Sequence, residues 1–247
     1  MELHSKYQVP LVLLLLLPAL CLSQGYTSSR ATYYSTSDGY GTPTGACGYG
    51  DYGRTVNYGM VAGVSGLWRG GAGCGACYEV RCKDSKLCNQ NGPTIVATDF
   101  GAGDRTDFIM SLNGFLKLGR DSSASQELKK YGVVDVEYKR VPCTHDGSNV
   151  LIKIHESSKY PDYLAIIILY VPGMKDVVGV EIYDDYSKEW RAMRRAFGAV
   201  FDIVNAPRGP FKLRLQFSGS KDWVESSKSV IPGDWKIGAS YDSGIHA

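Results

Sequence analysis

The chain has 247 residues and a formal net charge of +2, and 44% of its residues are hydrophobic. That length is enough for two domains, each with its own buried core. Because acidic and basic residues nearly balance, no broad basic field favours nucleic acid, and we expect no nucleic-acid partner.

The N-terminal segment has the features of a secretory signal peptide. His4 and Lys6 precede an apolar run at residues 9–17, and a region of small residues follows at 19–23. The run is shorter than the roughly 18 residues that a membrane-spanning helix needs, and no later run reaches that length. We therefore predict a signal peptide over residues 1–24 and a secreted mature protein that is not held at a membrane.

Six cysteines remain if Cys21 is removed with the signal peptide, and all of them precede residue 144. They are Cys47, Cys74, Cys77, Cys82, Cys88 and Cys143. An even number in an oxidising compartment indicates three disulfides, and the sequence alone permits many pairings. The spacing of Cys74 and Cys77 is also that of zinc ligands. Since no second such pair and no paired histidines complete a zinc site, disulfides are favoured, and we expect neither a metal nor a cofactor.

Short strands and long loops are predicted for the first half. The strands are at residues 31–34, 76–82, 94–98 and 133–141. Because alternate side chains of a strand face opposite ways, Thr32 and Tyr34 share one face. One helix is predicted from Ser123, which begins a Ser-x-x-Gln capping box with Gln126, to Gly132, which is placed to end it.

A polar linker is predicted at residues 144–149, and the pattern changes after it. The second half contains no cysteine, so its stability must come from packing alone. Strands are predicted at 150–155, 163–171, 177–183, 190–194, 199–204, 211–217, 230–231 and 235–241. Short strands separated by turns with Pro and Gly, without helices or disulfides, predict a β-sandwich. The strand pattern also directs Trp190 and Phe201 into its core.

Several short motifs are specific enough to indicate a family. In the first half they are Gly-Ala-Cys-Gly-Tyr at 45–49, Gly-Cys-Gly-Ala-Cys-Tyr-Glu-Val-Arg-Cys at 73–82 and Thr-Asp at 98–99. In the second half they are Tyr-Leu-Ala at 163–165, Glu-Trp at 189–190, Phe-Gly-Ala-Val-Phe at 197–201 and Gly-Pro-Phe at 209–211. With these motifs the chain resembles the plant expansin superfamily over nearly its whole mature length. Residues 106–111 and 130–140 are most similar to the expansin-like B subgroup.

The resemblance implies an all-β protein of two domains. It implies a six-stranded double-psi β-barrel at residues 25–143, related to family 45 glycoside hydrolases. An immunoglobulin-like β-sandwich that binds carbohydrate is implied at 150–247. The family also supplies a disulfide pattern. The implied pairs are Cys47–Cys74, Cys77–Cys143 and Cys82–Cys88.

A polysaccharide groove on the first domain is also implied by the resemblance, which places Thr32, Tyr34 and Asp99 in it. Hydrolysis with inversion needs two carboxyl groups about 6.5–9.5 Å apart, one as acid and one as base. In the family, the acid-like carboxylate belongs to a His-Phe-Asp motif, and this chain reads Asp-Phe-Ile at 107–109. Because Ile109 can neither donate nor accept a proton, we predict no catalytic residue.

Asp107 is the remaining candidate for the lost carboxylate. It falls two positions before Ile109, and positions two apart on a strand face the same way. We therefore include Asp107 in the predicted groove. For Thr32, Tyr34 and Asp99, structural hydrogen bonding around the barrel mouth is an equally good interpretation.

A platform on the second domain is implied at Tyr163 and Phe197. Sugars bind proteins by stacking their apolar faces on aromatic rings. Phe197 stands where the family usually has tryptophan, and its smaller ring predicts weaker cellulose binding. Four basic residues lie nearby in sequence: Lys188, Arg191, Arg194 and Arg195. A solvated face is the favoured interpretation of this basic cluster, and attraction of an acidic wall polymer such as pectin is the alternative.

These features predict a secreted protein of the plant cell wall that is not an enzyme. Its partner would be wall polysaccharide, that is cellulose, hemicellulose or pectin, and a monomer is the default. The resemblance implies loosening of non-covalent contacts between polymers without hydrolysis. One alternative is a weak endoglycanase that uses Asp99 with Asp104 or Asp107. The other is an extracellular lectin-like module that does not loosen walls.

Overall fold

The structure is a computed structural model, and it describes residues 25–101, 103, 106–144 and 147–246. The predicted signal peptide, Asp104 and part of the predicted linker lie outside the described residues. The strands are β1 (Thr27–Tyr33), β2 (Val61–Val64), β3 (Cys77–Cys82), β4 (Thr94–Phe100), β5 (Phe108–Met110), β6 (Val134–Val141), β7 (Leu151–Ile154), β8 (Tyr163–Leu169), β9 (Val177–Asp184), β10 (Glu189–Phe197), β11 (Val200–Val204), β12 (Leu213–Phe217), β13 (Trp223–Glu225) and β14 (Ser240–Asp242). The α-helices are α1 (Tyr52–Thr55), α2 (Leu112–Leu116) and α3 (Ser122–Tyr131), and short 3₁₀ segments cover Val56–Gly59 and Gly66–Gly71.

The first six strands form a closed barrel in the order β1-β5-β2-β4-β3-β6. The pairs β1–β5 and β2–β4 are parallel, and the other four pairs are antiparallel. Alternate side chains point inward and fill the barrel, among them Ala31, Val64, Val80, Phe108 and Val136. The opposite positions of each strand therefore face outward, and the predicted groove residues lie on that outer side.

Helix α3 exists as predicted, but it begins earlier in the chain than the predicted start at Ser123. The N-cap is Asp121, whose carboxylate accepts a hydrogen bond from the backbone N–H of Ala124. Ser123 instead lies inside the first turn, because a carboxylate two residues earlier already satisfies the free N–H groups there. Gly132 ends the helix with a positive φ of 73°, as predicted.

Three disulfides hold the first domain together, and they join the pairs that the family resemblance implies. Cys47 is bonded to Cys74, Cys77 to Cys143, and Cys82 to Cys88. The second pair spans 66 residues and fixes the end of the domain to β3. The described part of the chain contains no helix that is both long enough and apolar enough to cross a membrane.

Strands β7 to β14 form an eight-stranded sheet that curls into a sandwich-like domain. The order is β13-β12-β9-β10-β11-β8-β7-β14. The sheet has two halves, one on the β9 side and one on the β11 side of strand β10. Strand β10 belongs to both, because its first part pairs with β9 and its last part with β11. The two halves share one core that includes Ile152, Ile166, Ile182, Phe201 and Leu213. The predicted β-sandwich and the core position of Phe201 are thereby confirmed.

Two details of the second domain differ from the prediction. Ile231 forms only an isolated bridge with Phe211, and the predicted strand at 235–241 is reduced to β14. Trp190 is not in the core: it lies half-buried on the outer face, 5.2 Å from the ring of Tyr183 and 4.5 Å from the Arg214 guanidinium. The reason is register, because Met193, an odd number of positions away, takes the inward side of β10.

The two domains touch through their backbones. The turn between β10 and β11 meets the loop after β1, where the N–H of Ala199 donates to the carbonyl of Cys47 at 3.0 Å. Gly198 lies in this contact with a φ of 49°. A Cβ atom there would stand 2.4 Å from the carbonyl oxygen of Ala46, so only glycine fits. On the other side of the junction, Asp176 accepts from Arg69 and Arg140 of the first domain.

Candidate functional site

A row of four residues crosses the outer face of the barrel. Thr32 on β1 is paired with Ile109 on β5, Ile109 with Gly63 on β2, and Gly63 with Asp99 on β4. Directly paired residues of neighbouring strands project to the same side of a sheet. The structure therefore brings Thr32, Ile109 and Asp99 onto one surface, which we call the groove.

Asp99 is fixed by the protein itself. One carboxylate oxygen accepts from the backbone N–H groups of Ala46 at 2.5 Å and Phe100 at 2.8 Å. The other oxygen accepts from the hydroxyl of Tyr34 at 3.4 Å. Burial raises the pKa of the Tyr34 phenol well above its usual range, and the negative charge of Asp99 adds to this shift. The phenol therefore stays protonated and remains a donor at the floor of the groove.

Thr32 and Asp107 also make hydrogen bonds within the protein. The Thr32 hydroxyl donates to the carbonyl of Gly132 at 2.8 Å, just after α3. Asp107 accepts from the hydroxyls of Ser29 at 2.5 Å and Ser65 at 2.9 Å. Strand β2 lies between the strands of Asp99 and Asp107, and Asp107 is two residues before Ile109, so ordinary strand spacings put the two Cα atoms about 12 Å apart. The two carboxylates are on the same face of the barrel, and each is held by its own hydrogen-bond donors.

The side chain of Ile109 packs against the backbone at Gly101. Its terminal methyl carbon lies only 2.7 Å from where a Cβ atom of Gly101 would be, so the missing side chain at Gly101 makes room for it. The apolar Ile109 side chain stands in the middle of the row between Thr32 and Asp99. The position of Ile109 in the groove is therefore apolar, and this side chain cannot transfer a proton.

Tyr163 and Phe197 lie on one face of the second sheet. Tyr163 is paired with Val204 and Phe197 with Val200, which are on the same side of β11. Phe197 is 45% exposed and meets the His155 ring edge-on, with centroids 5.7 Å apart. Burial lowers the pKa of His155, so the imidazole beneath the ring is neutral at neutral pH.

A hydrogen-bonded network lies between these two rings and was missed by the sequence analysis. Asp202 accepts from Arg194 at 3.0 and 2.7 Å and from the hydroxyl of Tyr163 at 2.9 Å. Arg194 first, and then Tyr163, hold the pKa of Asp202 below its usual value although burial opposes this. The sequence signal was an aspartate inside the otherwise apolar strand Val200–Val204.

A cavity of about 230 Å³ lies beside Phe197 at the domain junction. Its walls are the loop at 43–50, which contacts Asp99 through Ala46, and strand β7 of the second domain. Gly45 lines this cavity and also the small space beside Tyr34 and Asp99. Gly45 thus lies between the space beside Asp99 and the cavity beside Phe197.

The basic cluster does not form a patch of free charge. Lys188 pairs with Asp185 at 3.3 Å, Arg191 with Asp184 at 3.7 Å, and Arg194 with Asp202. Arg195 turns toward the domain junction, where it donates to the carbonyls of Gly198 and Gly71 and covers the ring of Phe201. Within the described ranges, no group of three His, Cys, Asp or Glu side chains could hold a metal ion.

Two family profiles match the chain. The profile described as "Expansin C-terminal domain" matches residues 150–232, and the one described as "Lytic transglycolase" matches residues 60–138. The first match covers strands β7 to β13 of the curled sheet, and the second covers most of the barrel.

Similar proteins match over nearly the whole length. The chain is 50% identical over 235 residues to Expansin-like B1 of Arabidopsis thaliana, covering 94% of this chain and 93% of that protein. It is 41% identical to Expansin-like B1 of Oryza sativa subsp. japonica, covering 98% and 96%.

Solved structures share the fold. The apo expansin of Clavibacter michiganensis aligns with a TM-score of 0.66 at 19% identity, over 88% of this chain and 96% of that chain. A mutant of that expansin in complex with cellohexaose aligns with a TM-score of 0.64, also at 19% identity, over 90% and 97%. At this identity the comparison shows that the two-domain architecture is the same.

Proposed function

Because this chain belongs to the plant expansin superfamily, in its expansin-like B subgroup, we propose that it is a secreted protein of the plant cell wall. In this proposal it binds wall polysaccharide through both domains. It loosens the non-covalent contacts between polymers and does not hydrolyse them. Three disulfides support an oxidising, extracellular compartment.

The exposed ring of Phe197 is the observation that carries the binding part of the proposal. A phenylalanine at 45% exposure leaves an apolar face in water, which a sugar ring can cover. The ring is held in place by His155 below it and by the domain junction beside it. Tyr163, on the same sheet face, is oriented by its hydrogen bond to Asp202. A chain bound on Phe197 would continue along the cavity toward Asp99.

The lack of hydrolysis is proposed from the chemistry of the groove. Asp99 accepts hydrogen bonds from two backbone N–H groups and a phenol, and these bonds hold its carboxylate in place. An inverting mechanism needs a second carboxyl group about 6.5–9.5 Å away. Ile109 occupies the place in the row where that group would stand, and the carboxylate of Asp107 is held by the hydroxyls of Ser29 and Ser65. This arrangement supports binding without bond cleavage.

The endoglycanase alternative would use Asp99 with Asp104 or Asp107. Asp104 is outside the described residues, and Asp107 is held by two serine hydroxyls. If that alternative holds, the purified protein releases reducing ends from a glucan, and the Asp99→Asn variant does not. The lectin-like alternative requires binding without any extension of a loaded wall.

A neutral polymer fits this surface better than pectin. Arg194, which shares Asp202 with Tyr163 of the platform, already makes a bidentate pair with that carboxylate. Its charge is therefore largely compensated, and a uronate would gain little from it. Binding to polygalacturonate should be weak, and binding to cellulose or hemicellulose should vary little with salt.

Binding of the full chain to insoluble cellulose tests the proposal, with Phe197→Ala beside Tyr186→Ala. Tyr186 is 98% exposed in a turn and serves as the control for loss of a surface ring. We expect Phe197→Ala to weaken binding roughly tenfold, equivalent to about 1.4 kcal/mol, and Tyr186→Ala to leave it unchanged. Equal binding by wild type and Phe197→Ala would overturn the proposed platform.

A further inference from the structure

Tyr58 is the most unusual exposed aromatic residue of the barrel. Its side chain is 86% exposed, and its backbone has a positive φ of 56°. Asn57 before it is also left-handed, with a φ of 53°. Left-handed backbone is uncommon for any residue with a side chain and rarer still for a bulky one. A strained conformation that presents a ring to solvent needs a physical reason.

Two asparagine side chains hold this conformation in place. The amide of Asn57 donates to the carbonyl of Thr94 at 2.7 Å, and the amide of Asn113 donates to the carbonyl of Tyr58 at 3.1 Å. The N–H of Met60 closes the turn on the carbonyl of Asn57 at 3.0 Å. The Tyr58 ring is thus presented from a backbone that is fixed on both sides, and little entropy would be lost when a ligand covers it.

A cleft of about 430 Å³ lies between Tyr58 and Tyr40. Asp51, Arg54 and Thr55 complete its walls. The ring of Tyr40 lies against Gly59, where a Cβ atom would be 2.5 Å from the ring, so the glycine makes room for the tyrosine. Two rings with polar groups at their edges suit a sugar, which has an apolar face and hydroxyls around its rim.

Tyr40 also lines the small space beside Tyr34 and Asp99. Tyr40 therefore lies between the cleft and the part of the groove that holds Tyr34 and Asp99. The charges of the cleft favour a neutral polymer over an acidic one. Arg54 is paired with Asp38, and Asp51 adds a further negative charge, so the local balance is negative.

We propose that Tyr40 and Tyr58 form an additional glycan subsite, which extends the groove of the first domain and stacks a neutral segment of the wall polymer. This inference rests on the proposed function, because it takes the same polymer as ligand. It adds a binding element that lies apart from both Asp99 and the platform at Phe197.

Hydroxyl-radical footprinting of the full chain, with and without saturating cellohexaose, tests the subsite directly. We expect the oxidation rate of Tyr58 to fall about fivefold, while that of Tyr186, equally exposed but in a turn outside the cleft, stays the same. Protection of Phe197 without protection of Tyr58 would overturn the subsite and leave the proposed function standing. Protection of neither ring would overturn both.

A variant gives the second arm of the test. Tyr58→Asn removes the ring but keeps a residue that tolerates left-handed backbone, so the fold is retained. We expect cellohexaose affinity to fall about threefold to tenfold, and affinity for the shorter cellotriose to fall less. Tyr186→Asn is the matched control, with no change expected. Unchanged cellohexaose affinity in Tyr58→Asn would contradict the inference.

Discussion

The contact at Gly198 makes the sharpest stability prediction, because the cost of a side chain there can be separated into two parts. Gly198 has a left-handed φ of 49°, which costs an alanine about 1–2 kcal/mol. Its Cβ atom would also lie 2.4 Å from the carbonyl oxygen of Ala46 and 2.5 Å from the Cα atom of Cys47. Both neighbours are backbone atoms that cannot rotate away, and such overpacking costs about 1–3 kcal/mol. We expect Gly198→Ala to lose about 2–5 kcal/mol of unfolding free energy.

Gly219→Ala is the matched control for this substitution. Gly219 is also left-handed, with a φ of 82°, but nothing lies within 4 Å of its Cβ position. Gly219→Ala therefore has the same cost of a left-handed backbone and the same effect on the entropy of the unfolded chain as Gly198→Ala, but its Cβ atom clashes with nothing. Chemical denaturation should therefore place Gly198→Ala about 1–3 kcal/mol below Gly219→Ala. Equal stability of the two variants would refute the close contact between the domains.

The same substitution should weaken polysaccharide binding. Phe197 directly precedes Gly198, so a side chain at Gly198 moves the β10–β11 turn away from the barrel and displaces the ring from the cavity. Unchanged binding by Gly198→Ala would show that the platform works independently of the groove.

Three further predictions concern pH, crosslinks and the groove. The pKa of Asp202 is lowered in the folded protein, so its contribution to stability is present above about pH 4 and is lost as pH falls through the folded-state pKa. The difference in unfolding free energy between wild type and Asp202→Asn should therefore shrink in acid. A difference that stays constant with pH would contradict this. Removing the disulfide Cys77–Cys143, which spans 66 residues, should lower the unfolding free energy by about 4 kcal/mol. Removing Cys82–Cys88, which spans 6 residues, should lower it by about 2 kcal/mol. Thermal unfolding measures both losses, and equal losses would refute the loop-entropy estimate. Ile109→Asp should increase the extension of a loaded wall, because it adds a hydrogen-bonding carboxylate to the row that contains Asp99. An unchanged extension would show that the side chain at position 109 does not affect wall loosening.

Much of the fold could be predicted because it is encoded in local patterns. The alternation of apolar and charged residues predicted which side chains of β6 face inward, and in the structure Val134 and Val136 are buried while Asp135 is exposed. The even number of cysteines before residue 144 indicated a crosslinked first domain and a second domain without disulfides. Strands β2, β5 and β13 escaped prediction because each has only three or four residues, too few for a periodic signal.

The site was less predictable because it depends on register between distant strands. No local pattern places Ile109 beside Gly63 and Asp99, since these residues come from three strands of the barrel. Trp190 was assigned to the wrong face of β10 for the same reason. The pairing of Arg194 with Asp202 arises only when β10 lies against β11. Motif similarity identified the family, and the tertiary contacts then showed which of its residues are already engaged in hydrogen bonds.

The proposed wall loosening can be measured as the extension of a heat-inactivated plant wall strip under constant load in the presence of the purified protein, with reducing ends assayed in the bath. We expect faster extension than with Phe197→Ala and no release of reducing ends. Reducing ends that disappear in Asp99→Asn would mean that the groove is catalytic. Binding of the protein to the strip without any extension would mean that it is a lectin-like module.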